Sequence, residues 1–424
     1  MKNIIQSVKG TRQFYPQEMV FRNWFYQQIR DVSLAFGYQE YDGPFLESIE
    51  LYAAKSGEEL VKEQAFVFPD RGGNLITLRP ELTPSLARMI AEKQQQFVYP
   101  LRWWSFGPFW RYERPQKGRT REFFQWNIDL IGVNTPEADA EIVAICAELF
   151  KKVGFTPDQV KILVNDRQLM EEKLKSIGIS VGQKQLVFRV IDRKEKLELS
   201  QWREYAVESG LTDVQTQDIA LLLKDKGMFK ESKNLQRFFD AISALGVKEY
   251  VEFEPSIIRG LDYYTGIVFE AKDIDEEGRA ILGGGHYDNL VADVGGEPLP
   301  GVGFAMGDVV FPLILEKYGK MPKFTDSPAQ ILVTVFDEEF QYDSLQISAQ
   351  LRAAGLSAIS YPQVDKLSKQ FKFADKLGIK IAVVIGPDEK QNSQVGIKDL
   401  LNGTQKSVAI NQLVDSIKET LTAP

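Results

Sequence analysis

The rhythm of hydrophobic and polar positions changes several times along the chain. From Pro16 to Phe36 the apolar residues Phe21, Trp24, Phe25, Ile29 and Val32 recur mostly at steps of three and four, the spacing of one helix face, and Gly37 ends the run. GYQEYDGPFLES reads as a strand running into Pro44, followed by a second helical start. Lys55 to Gln64 is polar and helix-prone. AFVFPDRGGNLITLRPELTPSLARMIAEK reads strand, glycine turn, strand, helix, with Glu81 held just ahead of the helix that Thr83 and Pro84 begin. Pro136 to Val153 is an amphipathic helix and VKILVND a strand. From Arg167 to about Leu245 the pattern is helical and rich in Lys, Glu and Gln; the sequence of this insertion displays no chemistry. Sheet texture returns at Tyr250, in strands joined by glycine-rich turns and closed by a helix. Lys323 to Pro328 is a linker. Beyond it, continuous apolar strands alternate with helices over Asp343 to Ala354, Lys366 to Leu377 and Asn411 to Leu421, the pattern of a small parallel or mixed α/β domain. The expected boundaries are therefore 1–165 and 250–322 for one domain in two parts, 166–249 for the insertion and 323–424 for the last domain.

One stretch, RYERPQKGRTREFFQWNID from Arg111 to Asp129, organises the rest. It reads as two strands joined by a basic loop over Arg114 to Arg121. In the second strand Phe124, Trp126, Ile128 and Leu130 share one face, and Phe123, Gln125, Asn127 and Asp129 the other. In the first, Arg111 and Glu113 share a face. An arginine, a carboxamide and a carboxylate on one face fit a floor for a small zwitterion and a nucleotide, beside a loop that meets phosphate. They also fit an amphipathic hairpin whose polar face sees solvent.

Length and composition narrow the field. A chain of 424 residues exceeds one typical core. The net charge of -8 confines any nucleic-acid contact to local basic patches. One cysteine, Cys146, and one histidine, His286, leave no disulfide framework and no Cys/His zinc site, and place the chain in the cytosol. No segment approaches the ~20 apolar residues of a membrane span, and the N-terminus lacks a signal-peptide pattern. A second polar cluster opens RGLDYYTGIVFE: Arg259, Tyr263 and Tyr264 precede an apolar strand and so belong at a sheet end. Alone this fits a surface-exposed strand entry, and GGGHYDNL alone fits a tight turn.

Together these stretches resemble the histidyl-tRNA synthetases, a family of class II aminoacyl-tRNA synthetases, over nearly the whole length. KGTRQFYP is similar to the family's opening, GYQEYDGPFLES to its first motif at the dimer interface, RYERPQKGRTREFFQ to its second motif, RGLDYYTGIVFE to its histidine-binding motif, and KLSKQFKFADKLGIKIAVVIG to its anticodon-binding domain. The resemblance implies an α+β catalytic domain with a mainly antiparallel six-stranded sheet, a helical insertion and a C-terminal α/β anticodon-binding domain. It implies a ligase that activates histidine with ATP, carried as its Mg²⁺ complex without a fixed protein metal, and transfers it to tRNA(His), as a homodimer.

The resemblance also implies roles for single residues. Arg111 grips the substrate carboxylate and the α-phosphate, and Arg259 contacts the same groups where other class II enzymes use a metal. Phe123 stacks on adenine; Glu113 and Arg121 contact the nucleotide. Glu81 and Thr83 hold the amino group, and Leu82 between them belongs to the histidine-binding set. Gln125, Asp129, Tyr263 and Tyr264 contact histidine, with Asp129 reading the imidazole. Gln116 and Arg119, in the basic loop, meet the tRNA acceptor end. The chain departs from the family's pattern twice: His286 stands at the arginine of GGRYDGL, and GFAMGDVV puts Val310 where the third motif ends in an arginine near the γ-phosphate. The ATP tail then takes another cation, Mg²⁺ or a loop arginine such as Arg119. The alternative is a histidine-sensing paralogue such as the regulatory subunit of ATP phosphoribosyltransferase, which lacks the anticodon-binding domain.

Overall fold

The structure is a computed structural model that describes residues 4–53, 60–116, 118–194, 197–258, 264–275, 280–324 and 327–422. The chain divides into two compact units, 1–13 with 22–322 and 14–21 with 323–424. The first helix, α1 (Pro16–Ala35), buries Phe25, Ile29 and Val32 from its expected apolar face. Gly37, at a φ of 78°, then turns the chain in the left-handed region that favours glycine.

The first unit continues through β1 (Gln39–Glu40), β2 (Leu46–Ser48), α2 (Ile49–Ala53), β3 (Phe66–Pro69), β4 (Leu75–Leu78), α3 (Thr83–Lys93), β5 (Leu101–Trp110), β6 (Glu122–Ile131), α4 (Pro136–Lys152) and β7 (Val160–Asp166). The insertion is α5 (Arg167–Ser176), α6 (Lys184–Asp192), α7 (Leu199–Glu208), α8 (Asp213–Leu222) and α9 (Lys233–Ala244). The unit closes with β8 (Val251–Phe253), β9 (Ile267–Asp273), β10 (Ala280–Tyr287), β11 (Gly301–Gly307) and α10 (Val310–Lys317).

Among the described residues the large sheet has eight strands in the order β1-β5-β6-β11-β10-β9-β7-β8, rather than the expected six. The six from β5 to β7 are antiparallel throughout. The two additions, β1 beside β5 and β8 beside β7, are parallel edge strands of two and three residues, too short for alternation to show. The lower face is covered by α4, whose start is fixed by Thr135: its side chain accepts from the Ala138 amide, and Pro136 follows in the first turn. Phe124, Trp126, Ile128 and Leu130 of β6 are buried, as their shared face requires.

Two expectations need correction. The first hairpin strand ends at Trp110, so Arg111 and Glu113 follow it instead of lying within it. The Arg111 amide still donates to the Arg121 carbonyl at 2.9 Å, but the Tyr112 amide turns to Gln64 at 2.6 Å, and Pro115 lacks the donor to resume the ladder. The strand around Pro44, which the sequence leaves without a partner in the chain, finds two. Gln39–Glu40 pairs with β5, and Leu46–Ser48 pairs with β4 in a three-stranded sheet β2-β4-β3. Arg79 ties this region down. Its buried guanidinium binds Asp42 Oδ1 at 2.6 Å and the carbonyls of Gly43 and Pro108 at 3.0 and 2.9 Å, between the rings of Phe45 and Phe109.

In the second unit, β12 (Ile331–Val333), α11 (Gln341–Ala353), β13 (Ala358–Ser360), α12 (Leu367–Lys376), β14 (Ile381–Val384), α13 (Pro387–Gln391), β15 (Gln394–Asp399), β16 (Gln405–Ala409) and α14 (Leu413–Thr422) form the expected mixed α/β domain. Its sheet order is β13-β12-β14-β15-β16, parallel over the first three strands and antiparallel after them. Continuous apolar strands are buried on both faces: Ile331, Val333, Ile381 and Val383 enter one cluster, Leu332 another.

Candidate active site

The upper face of the large sheet is open because its side chains are small. Opposite Gln125, Asn127 and Asp129 on β6 stand Gly307, Ala305 and Gly303 on β11, and Gly283 and Gly285 of β10 continue the two inner rows. A Cβ on Gly303 would run into the Asp129 carboxylate. This lane of missing side chains leaves a cavity of about 690 Å³ above the strands. Glu81, Leu82, Thr83, Arg111, Gln125 and Asp129 all line it, and so does Tyr264. Residues expected from four separate stretches therefore meet in one hollow. The polar face of the hairpin is the floor of that hollow.

The deep end is built around Asp129. It is buried, and burial pushes its carboxyl up to about 7; the Tyr287 hydroxyl, donating to Oδ1 at 2.9 Å, works the other way. Beside it Asn127 is buried, and its Nδ2 has no hydrogen-bond partner among the described residues. Glu81 and Leu82 come from the turn into α3, where Leu82 caps the helix without a side-chain hydrogen bond. At the shallow end, Arg111 is braced by Nε donating to the Pro80 carbonyl at 3.0 Å and lies 5.3 Å above the Phe123 ring.

A second cavity of about 260 Å³ adjoins the first, and Arg111, Gln125, Gly283 and Ala305 line both. Glu113, Arg119 and Phe123 line it on one side, Val309 and Val310 on another. The Arg119 guanidinium lies 3.2 Å from the Glu113 carboxylate and is largely exposed. Its loop closes through the Gln116 amide donating to the Arg119 carbonyl at 3.0 Å and the Arg119 amide donating back at 2.8 Å. Arg121, expected at the nucleotide, lines neither cavity. Its Nε donates to the Glu113 carbonyl at 3.1 Å, its Nη1 to the Lys9 carbonyl at 3.3 Å, and it lies over the Tyr112 ring. The N-terminal segment thus laces across the start of β6. Arg12 continues the lacing, binding both oxygens of buried Asp308 at 2.9 and 2.8 Å just ahead of α10. Arg259 and Tyr263 lie outside the described residues.

His286 faces the other side of β10 from Tyr287. Its Nδ1 is 2.8 Å from Asp139 Oδ1 on α4, and its Nε2 is 3.5 Å from Asp288. Burial alone would lower the imidazole's pKa; the hydrogen bond and charge of Asp139, aided by Asp288, outweigh it and raise it. The histidine at the family's arginine position thus supports the floor from beneath, paired with Asp139 of α4. The insertion, in contrast, brings more to the site than its sequence promised. Gln185, Phe188, Arg189 and Asp192, spaced as one helical face of α6, line the larger cavity, with Tyr205 of α7 beside them. The signal was the three-and-four spacing, hidden because the same spacing serves an ordinary half-buried helix.

A six-stranded antiparallel core with a carboxylate-lined hollow on one face, an inserted helical subdomain and a separate α/β unit define the catalytic architecture of a class II aminoacyl-tRNA synthetase. The family model for histidyl-tRNA synthetase matches residues 10–308 and that for the anticodon-binding domain matches residues 330–420. The chain belongs to the histidyl-tRNA synthetase family. It is 37% identical over 431 residues to the histidine–tRNA ligase of Opitutus terrae, covering 98% of both chains. The crystal structure of histidyl-tRNA synthetase from Nostoc sp. PCC 7120 superposes with a TM-score of 0.83 at 28% identity, over 99% of this chain and 100% of that one. A Bacillus halodurans structure described as an ATP phosphoribosyltransferase regulatory subunit/histidyl-tRNA synthetase shares the fold, with a TM-score of 0.75 at 20% identity, over 91% of this chain and 100% of that one.

Proposed function

We propose that the chain is a histidine–tRNA ligase that holds histidine in the larger cavity and the nucleotide in the smaller one. The observation that carries this reading is their meeting at Arg111 and Gln125, which puts a carboxylate in one within reach of a phosphate in the other. The carboxylate of histidine attacks the α-phosphorus of ATP, and pyrophosphate leaves. The terminal ribose hydroxyl of tRNA(His) then attacks the adenylate carbonyl and AMP leaves. No protein nucleophile is required. The protein supplies position and fixed positive charge: Arg111, with Arg259, neutralises the transferring phosphoryl group. Glu81 holds the amino group, Gln125 and Asp129 the ring, Phe123 stacks on adenine, and Glu113 contacts the nucleotide. Residues 1–165 and 250–322 carry this chemistry, 166–249 wall the cavity, and 323–424 bind the anticodon arm.

Mg²⁺ enters as part of the ATP substrate. Among the described residues no group of three His, Cys, Asp or Glu side chains could hold a metal ion of its own. No described helix is long and apolar enough to cross a membrane. The match to an anticodon-binding domain favours the ligase over a histidine-sensing subunit that lacks one. Val310 at the start of α10 is the observation on the other side, since it offers the ATP tail no charge. The test is histidine-dependent exchange of labelled pyrophosphate into ATP. Exchange establishes activation; histidine binding without exchange establishes the sensor.

A further inference from the structure

The smaller cavity takes its walls from neighbouring strands. Phe123 stands near the start of β6, and Val309 and Val310 follow the end of β11. Phe123 and Val309 are each one residue from the rung that closes the β6–β11 ladder, Phe124 with Asp308. That rung is irregular. The Asp308 amide donates to the Phe124 carbonyl at 2.9 Å. In a regular antiparallel pair the Phe124 amide would return to the Asp308 carbonyl. It donates instead to the side chain, to Oδ1 at 2.9 Å. A carboxylate thus completes the rung, and the backbone beyond Asp308 is released to turn into α10 at Val309.

Asp308 is only 7% exposed, and a carboxylate that deep calls for a paired cation. Arg12 supplies it, with Nη2 at 2.9 and 2.8 Å from the two oxygens. Burial raises the Asp308 carboxyl; Arg12, the Phe124 amide and Arg22 hold the rise back. The segment that carries Arg12 also holds β6 on the other side of Phe123. The Gly10 carbonyl accepts from the amides of Arg121 and Glu122 at 2.8 and 3.2 Å. Residues 10–12 therefore grip the strand at 121–122 directly and at 124 through Asp308. Phe123 is the residue between the two grips, and it lines the cavity; Arg12 itself lines neither cavity.

We propose that Arg12 is a positioning residue for the nucleotide: by neutralising Asp308 it holds Phe123 of β6 and the start of α10 at the spacing that accepts the purine ring. This rests on the ligase reading for the identity of the occupant. Without Arg12 the carboxylate is buried and unpaired, and the rung beside Phe123 opens to relieve it. With Asn at position 308 the Phe124 amide keeps its acceptor and no charge is buried, so Arg12 is no longer needed.

The test uses the full chain with Arg12→Gln, Arg12→Lys, Asp308→Asn, and Arg12→Gln combined with Asp308→Asn. Calorimetric binding of ATP and of histidine is measured, together with the KM values for ATP, pyrophosphate and histidine in pyrophosphate exchange. Arg12→Gln should weaken ATP ~10-fold in both measurements, the scale of coupling between groups in contact. Histidine, and pyrophosphate, which has no purine, should stay within ~2-fold. Lysine keeps the charge and should hold ATP within ~3-fold of the parent. Adding Asp308→Asn to Arg12→Gln should bring ATP back to within ~3-fold, because the charge that needed Arg12 is gone. An ATP loss that Asp308→Asn does not relieve overturns the proposal and makes Arg12 a direct contact to ATP. Equal losses for all three ligands, or no loss, overturn it as well. If Arg12→Gln alone does not fold, the double variant is compared with Asp308→Asn: a difference in ATP binding below ~2-fold upholds the proposal and a larger one overturns it. The expected binding pattern in a chain whose parent shows no exchange upholds the positioning role and overturns the ligase; exchange by the parent without that pattern does the reverse. A parent that binds no ATP overturns both.

Discussion

Asp129 shows how one residue can be costly to the fold and useful to the site. Its carboxyl titrates at about 7, against an ordinary value of 3.8, because it is buried. Between those two values the folded protein keeps a proton that the unfolded chain gives up, so stability falls as pH rises through the window and the loss is complete above it. Asn at this position removes the penalty. The melting temperature of Asp129→Asn should therefore gain on the parent between about pH 4 and about pH 7 and level off above it; a gap independent of pH would mean the carboxyl is not held in its neutral form. The same substitution should raise the KM for histidine by ~10- to 100-fold, the worth of one hydrogen bond to a charged group, and leave the KM for ATP nearly unchanged. The face that carries Asp129 was legible in the sequence from period-two alternation alone. The depth beneath it was not. It depends on Gly303, Ala305 and Gly307 lying opposite, and register between β6 and β11 is a long-range fact that neither stretch contains.

At the scale of elements, the loop from Gln116 to Arg121 and the start of α10 face each other across the smaller cavity, one basic and one apolar. Arg119 lines the smaller cavity and pairs with Glu113 at 3.2 Å, largely exposed. Arg119→Ala should raise the KM for ATP by ~10-fold, in line with one charge-assisted hydrogen bond, without altering that for histidine. Adding Val310→Arg should restore most of the loss, because a guanidinium at the helix start reaches the same phosphate from the other wall. If Val310→Arg fails to help while the protein remains folded, the tail does not pass that way. The walls were unequally legible: a run of arginines and lysines is visible as such, whereas the insertion's cavity-lining face on α6 has the spacing of any amphipathic helix. Arg121 is the converse case. It reads in the sequence as a ligand-binding cation, and its guanidinium donates to the carbonyls of Lys9 and Glu113, 112 and 8 residues away.

For the whole molecule, the three-stranded sheet β2-β4-β3 leaves Leu46 and Phe68 exposed on one face and Val67 and Leu75 on the other, with Phe45 exposed just ahead of β2. Large apolar residues left open on both faces of so small a sheet fit a surface that a partner covers. A second copy of the chain is the partner proposed, and sedimentation at micromolar concentration should give a dimer; Phe45→Lys with Phe68→Lys should give monomers. A parent that sediments as a monomer removes the dimer from this reading. The division of labour is tested separately. Ending the chain at residue 322 should leave pyrophosphate exchange within ~3-fold of the parent and reduce aminoacylation by ~10²-fold or more, since only the second step needs the tRNA held at a distance. Equal losses in both steps, with the first unit still folded, would count against that division.

The pair of His286 and Asp139 has one more consequence. Because the chain contains a single histidine, protein made with ring-labelled histidine and no affinity tag gives one imidazole signal in a nuclear magnetic resonance spectrum. That ring sits on β10, next in sequence to the tyrosine that anchors Asp129, and its backbone carbonyl accepts from the Thr265 amide at 2.9 Å. Unlabelled histidine and ATP can then be added in turn, and the lone resonance follows the floor of the site from below through each step. The molecule comes with its own observer, on a ring that lines neither cavity, and no substitution is needed to install it.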